Sequence, residues 1–149
     1  MRKLIQLRPR EWAELLRAQV ALLSAQIEVL ARPVGSLVTD AALPADDIEA
    51  EPPPHNQKLA EAKQMALAVS RAASYGVFRP KCLVRAIALH RMLVARGLNQ
   101  SRIRIGVRRR NGEFAAHAWV ECGSLILGDH ESHTSTFARL ADLRPGGKR

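Results

Sequence analysis

The stretch Arg102-Ile103-Arg104-Ile105-Gly106-Val107-Arg108-Arg109-Arg110-Asn111-Gly112-Glu113-Phe114-Ala115-Ala116-His117-Ala118-Trp119-Val120-Glu121 decides the fold. Residues 102–108 alternate, with Ile103, Ile105 and Val107 on one face, as in a half-buried strand. Asn111-Gly112 is a strong two-residue hairpin turn. The return strand, Glu113 to Glu121, puts Phe114, Ala116, Ala118 and Val120 on one face and His117 and Trp119 on the other. Gly123-Ser124 turns the chain again into a short strand, Leu125-Ile126-Leu127. The second half of the chain therefore reads as an antiparallel meander.

Upstream of residue 100 the period is helical. Residues 9–31 read as a long helix with Pro9 in its first turn. Trp12, Leu15, Leu16, Leu22, Leu23, Ile27 and Leu30 recur at helical spacing, and Arg32-Pro33 ends the run. Residues 33–54 form an acidic connector in which Asp40, Asp46, Asp47, Glu49 and Glu51 precede Pro52-Pro53-Pro54, a composition that favours extended chain. Residues 56–74 read as a second helix with Leu59, Ala62, Met65, Ala66, Val69 and Ala73 on its apolar face, and Gly76 suits its end. Residues 81–96 read as a third, after Pro80 and before Gly97, with Leu83, Ile87, Leu89, Met92, Leu93 and Val94 on its apolar side. The tail from Arg144 to Arg149 reads as mobile. Helices followed by an antiparallel meander make an α+β fold. The expected division is residues 1–54, helix and connector, and residues 55–149, a compact core that joins them in one unit.

The chain has 149 residues, 47% of them apolar and 25% charged, which is one ordinary globular domain and excludes collagenous, low-complexity and wholly disordered classes. Its two cysteines, Cys82 and Cys122, are too few for a disulfide-stapled scaffold. Arg8, Arg10 and Glu11 interrupt the N-terminus before a signal-peptide core can form, and Glu14, Arg17 and Glu28 break the apolar run of the first helix. No membrane span is expected, and the reading is a cytoplasmic protein with free thiols. The net charge of +9 is uneven. Residues 1–75 hold nine bases and nine acids, whereas residues 76–149 hold fourteen bases and five acids. Between Arg79 and Arg110 there are ten bases and no acid, which points to an anionic partner or to a solvated basic face.

Cys82 follows Pro80 at a helix start, where free N–H groups and partial positive charge favour a thiolate. A lone cysteine also serves as a small core residue. His117 lies mid-strand, which holds an imidazole rigidly, as a general base requires. Asp129 follows the next strand. Hairpin pairing is expected to carry it toward the start of the return strand, leaving contact with His117 in mid-strand open. An acid there would orient the imidazole and stabilise its protonated form. Nucleophile, base and orienter then appear in the chain order of transglutaminase-like and papain-like enzymes.

The strings Cys82-Leu83-Val84-Arg85-Ala86-Ile87-Ala88-Leu89, Ile105-Gly106-Val107 and Phe114-Ala115-Ala116-His117-Ala118-Trp119-Val120-Glu121 resemble the leader peptidases of lasso-peptide biosynthesis, a transglutaminase-like family of cysteine proteases. The resemblance covers residues 80–130 well and 56–79 loosely, and residues 1–50 mainly in length and helical character. It implies Cys82 as catalytic nucleophile, His117 as base and Asp129 as orienter, with no cofactor. Ala86 stands where the family often has serine. It also implies the split form of the enzyme. The leader of a ribosomally made precursor would be recognised by a separate small protein. The freed core would pass to a macrolactam cyclase of asparagine-synthetase type. In that family the leader's penultimate threonine guides the cut. Arg85, Arg108, Arg109, Arg110 and Trp119 are the candidate substrate- or partner-binding residues, and the basic face is expected to dock an acidic leader or partner.

Other readings stay open on the same residues. Cys122, Asp129, His130 and His133 lie close in sequence, but their spacing matches no zinc pattern, so no metal is expected. His90 and His55 read as surface or packing residues. A small basic nucleic-acid-binding domain is supported by Arg108-Arg109-Arg110 and opposed by an aromatic content of 4%, which leaves no stacking platform. An inactive transglutaminase-like scaffold that only binds peptide is the other alternative.

Overall fold

The computed structural model describes residues 8–32 and 56–143, with side chains over 8–32 and 57–140. The acidic connector, His55 and the C-terminal tail lie outside the described residues. Helix α1 spans Pro9–Ala31, α2 Asn56–Tyr75 and α3 Cys82–Ala95. Strands β1 (Ser101–Arg110), β2 (Glu113–Cys122) and β3 (Leu125–Leu127) follow, then a single-turn helix α4 (Glu131–Thr134) and strand β4 (Ala138–Leu143). The fold is α+β, as the change of period implies.

Proline at the first position of α1 lacks only an N–H that would have no partner there. The backbone N–H of Arg8 donates to Glu11 Oε2 at 2.9 Å, so the helix start is closed by its own first-turn acid. Helix α3 lies between the other two helices and the sheet. Val84, Ala86, Ile87, Ala88, Leu89 and Leu93 are all buried, so it is enclosed on nearly every side. The enclosure also takes in His90, whose Nδ1 lies 2.9 Å from Ser101 Oγ, a packing role. Small residues on α2 and α1 let the backbones approach: Ala62, Ala66, Ala72, Ala18 and Ala25 are buried.

Helix α1 departs from its expected orientation. Ala18, Leu22 and Ala25 face the core, while Trp12, Leu16, Leu23, Ile27 and Leu30, all counted as its apolar face, are exposed. Electrostatics help fix this rotation: Glu11 pairs with Arg71 of α2 at 3.5 Å, Glu28 with Arg91 of α3, and Glu14 with Arg96 at the C-terminal cap of α3.

The sheet order is β3-β2-β1-β4, antiparallel throughout. The hairpin forms as expected, with Asn111 at φ 53° and Gly112 at φ 84° in its turn. One face meets the helices through Ile103, Ala118, Val120, Cys122 and Leu127. The end of the hairpin stands off the core, so Phe114 is exposed despite its place on the apolar face. The other face is not the solvated side that alternation suggests. Arg104 and Glu121 are buried there as a pair, Arg104 Nε donating to Glu121 Oε2 at 2.8 Å. Matched charge is what lets such residues leave water. Strand β4, absent from the sequence reading, pairs with β1 across a bulge at Ile105/Gly106. Among the described residues no helix is long and apolar enough to cross a membrane.

Candidate active site

Helix α3 begins at Cys82, after Lys81 in extended conformation. Its first intrahelical hydrogen bond runs from Arg85 N–H to Lys81 C=O at 3.1 Å, leaving the N–H groups of Cys82, Leu83 and Val84 without helical acceptors. Cys82 is partly exposed and opens into a cleft together with Arg85 one turn on, Ser70 of α2, His117 and Trp119 of β2, and Asp129. Cys82, His117 and Asp129, three candidates from separate elements, thus share one cleft. Cys122 is fully buried in the helix-side core and is not part of it.

The β2–β3 register explains how Asp129 arrives. The ladder ends with Val120 opposite Leu127, and the chain beyond it brings Asp129 to His117 in mid-strand and not to the start of the strand. Gly128, at φ 77°, makes the turn that releases the chain there. His117 Nε2 hydrogen bonds to Asp129 Oδ2. With the carboxylate ionised, Nε2 is the donor, which leaves Nδ1 as the ring nitrogen able to take a proton. Asp129 Oδ1 accepts from the backbone N–H of His130 at 2.7 Å and lies 3.2 Å from His133 Nδ1. Burial pushes the Asp129 carboxyl up, but the bonds from His117, the His130 backbone and His133 outweigh it and hold it below the usual carboxylate range.

The imidazole of His117 is boxed in by rings. Trp119 stacks near-parallel at 6.0 Å, His133 meets it edge-on at 4.7 Å and Phe137 lies at 5.3 Å. Trp119 is 4% exposed, and its Nε1–H donates to Glu121 Oε1 at 3.0 Å. It forms a wall of the cleft, held by the same carboxylate that Arg104 binds. Arg108 lies 4.6 Å over the Phe137 ring and donates to Thr136 Oγ1 at 3.2 Å. It therefore belongs to the surroundings of the site, whereas Arg109 and Arg110 are exposed at the hairpin end. Nor is the acid-free run from Arg79 to Arg110 all free charge, since Arg91, Arg96 and Arg104 bind acids from other elements.

Three residues around the site escaped the sequence reading as site residues. His133 had been weighed only for zinc, Phe137 lies in a segment with no visible pattern, and Gly106 was read as a strand residue within the resembling string Ile105-Gly106-Val107, with no role at the site. The zinc set of Cys122, Asp129, His130 and His133 does not assemble, because Cys122 is in the core. A different trio does: donor atoms of His117, Asp129 and His133 lie within 4.8 Å of one another, two imidazoles and a carboxylate as zinc takes. Two of the three, His117 and Asp129, are joined by the hydrogen bond described above.

A helical layer on an antiparallel sheet, with a cysteine at a helix start sharing a cleft with a strand histidine and its aspartate, defines the transglutaminase-like or papain-like class of α+β domain. The chain belongs to the transglutaminase-like superfamily, whose family model matches residues 21–142. No curated protein and no solved structure gives a match.

Proposed function

We propose that this protein is a cysteine peptidase that removes the leader from a ribosomally made lasso-peptide precursor. The observation that carries the reading is the His117–Asp129 hydrogen bond in the cleft that Cys82 opens into. The resemblance of the Cys82 helix and the Ala116-His117-Ala118-Trp119-Val120-Glu121 strand to that family supplies the substrate class.

In this mechanism His117 Nδ1 takes the proton of the Cys82 thiol, and the thiolate attacks the carbonyl at the leader–core junction. The N–H groups at the start of α3 stabilise the oxyanion. The tetrahedral adduct collapses, the peptide C–N bond breaks, and imidazolium His117 protonates the leaving amine of the core. Water, deprotonated by His117, then hydrolyses the thioester and returns the free thiol, releasing the leader acid. Asp129 fixes the ring through Nε2, which leaves Nδ1 for the thiol proton, and stabilises the imidazolium. The freed core amine is the group a separate macrolactam cyclase needs, and a small separate protein recognises the leader.

The test is mass spectrometry of a lasso-type precursor incubated with this chain, with and without a leader-binding partner. A single cut at the leader–core junction, raised more by the partner than by extra substrate, is the expected result. It is lost on Cys82→Ala with the circular dichroism spectrum unchanged. A folded Cys82→Ala protein that still cuts overturns the reading. Salt-sensitive binding of generic DNA by both forms, without cleavage, would favour the nucleic-acid alternative.

A further inference from the structure

The carboxylate of Asp129 faces two imidazoles. His117 Nε2 hydrogen bonds to its Oδ2, and His133 Nδ1 lies 3.2 Å from Oδ1 and 3.3 Å from Oδ2. One donor atom from each of the three residues lies within 4.8 Å of the others. Donors on a tetrahedral zinc, bonded at about 2.0–2.1 Å, stand roughly 3.3–3.4 Å apart. The His133–Asp129 edge already has that span, whereas the His117–Asp129 edge is shorter and must widen to admit an ion. The side chains of His117 and Asp129 are mostly buried, but that of His133 is 45% exposed, which gives an ion a way in.

The donor set suits zinc. Two of its three members are imidazole nitrogens, which magnesium and calcium do not select. The carboxylate is already anchored, because Asp129 Oδ1 accepts from the His130 backbone N–H at 2.7 Å, the kind of outer bond that orients a metal ligand. Three protein donors leave the fourth position of a tetrahedral ion to water.

We propose that His117, Asp129 and His133 bind a zinc ion, and that the bound ion stops His117 from acting as the base for Cys82. A neutral imidazole carries one proton. Zinc on Nε2 takes the nitrogen that donates to Asp129, so the ring proton moves to Nδ1. Nδ1 then has no lone pair for the thiol proton, and the Asp129 carboxylate binds the metal in place of the ring. The ion gives up water and no proton is released. The blocked base rests on the peptidase reading of His117 and Cys82, whereas binding of the ion does not.

The test uses the full chain with zinc sulfate and, as a visible probe, cobalt chloride. Cobalt is expected to give the visible absorption of a tetrahedral nitrogen–oxygen site, without a near-ultraviolet thiolate-to-metal band, in both the parent and Cys82→Ala. By calorimetry His133→Ala is expected to bind zinc at least about tenfold more weakly, with its far-ultraviolet spectrum unchanged. His133→Cys is expected to restore zinc binding and to add the thiolate-to-cobalt band, which a merely structural role for His133 would not produce. Iodoacetamide reads the base, since Cys122 is fully buried and Cys82 is the accessible thiol. Zinc at a concentration that saturates the parent is expected to slow labelling of Cys82 at least about tenfold, reversibly with EDTA, and to slow it far less in His133→Ala. Equal zinc affinity of the parent and His133→Ala overturns the proposal. So does a thiolate band in the parent that Cys82→Ala removes, or undiminished labelling of the zinc-bound protein. No precursor enters this test, so a chain that fails to cut a leader counts against the leader-peptidase reading alone.

Discussion

Gly106 stands directly opposite His117 in the β1–β2 register, and its missing side chain is what lets the box around His117 close. A Cβ on Gly106 would lie 2.7 Å from Phe137 Cβ and 2.9 Å from the Trp119 ring, closer than real carbon contacts permit. Both are ring neighbours of His117. Gly106→Ala is therefore expected to displace Phe137 or Trp119, lowering stability by about 1–3 kcal/mol, the usual effect of overpacking. Cleavage should fall by at least about tenfold, since small displacements of positioning groups are costly. Denaturant midpoints and initial rates check both. An alanine variant with parental rate would show that the box does not position His117.

Asp129 ties pH to stability. Its folded carboxyl titrates below the ordinary value of 3.8, because the bonds it accepts favour the ionised form. A depressed acid contributes stability that is fully present above its unfolded value and is lost as pH falls through the folded one. Asp129→Asn is expected to be less stable than the parent near neutrality and to lose less stability between about pH 5 and pH 2. Its cleavage rate should drop by roughly 10²–10⁴-fold, as when a triad loses its orienting carboxylate. Urea midpoints at three pH values separate the outcomes: parallel loss in both proteins would mean that Asp129 is not a source of acid sensitivity.

The hairpin and the candidate triad were legible because their signals are local. Alternation plus Asn111-Gly112 fixes the β1–β2 register without knowledge of the rest, and that register carries His117. Counting back from the Gly123-Ser124 turn carried Asp129 to the return strand but left its contact with His117 open, and the hydrogen bond emerges only where the chain turns at Gly128 beyond the last β2–β3 pair. Strand β4 was illegible because its pairing with β1 is long-range and Leu140 is exposed, so no buried alternation marks it. Phe137 reaches His117 only because β4 exists. The rotation of α1 was misread for a different reason. Leucine and isoleucine outrank alanine in any hydrophobic pattern, yet Ala18 and Ala25 are the residues small enough for close helix packing.

Leu22 and Leu23 test that rotation directly. They are adjacent in sequence, but Leu22 is fully buried and Leu23 is 42% exposed. Leu22→Ala is expected to destabilise the protein by about 2–5 kcal/mol, the transfer and cavity cost of a core leucine. Leu23→Ala should stay within roughly 0.5 kcal/mol, as for a surface position without special contacts. Thermal or urea unfolding of the two variants decides the matter, and equal losses would mean that α1 is rotated from the orientation described.

The hairpin arginines divide into two kinds, and their variants should divide likewise. Arg108 covers Phe137 and bonds Thr136, so its side chain helps hold the ring box at His117. Arg109 and Arg110 reach solvent at the hairpin end. A triple neutral substitution would mix the two effects. Arg109→Gln with Arg110→Gln is expected to weaken docking of an acidic leader or partner, raising KM several-fold with kcat nearly unchanged. The effect should fade as ionic strength rises past the point where the screening length is about 8 Å. Arg108→Gln is expected to lower kcat instead, because an exposed cation–π contact contributes about 0.5–1 kcal/mol to holding Phe137 in place. Steady-state kinetics at two salt concentrations read both parameters. If Arg109 and Arg110 can be neutralised with no change in KM at low salt, the hairpin end is a solvated basic face and not a docking surface.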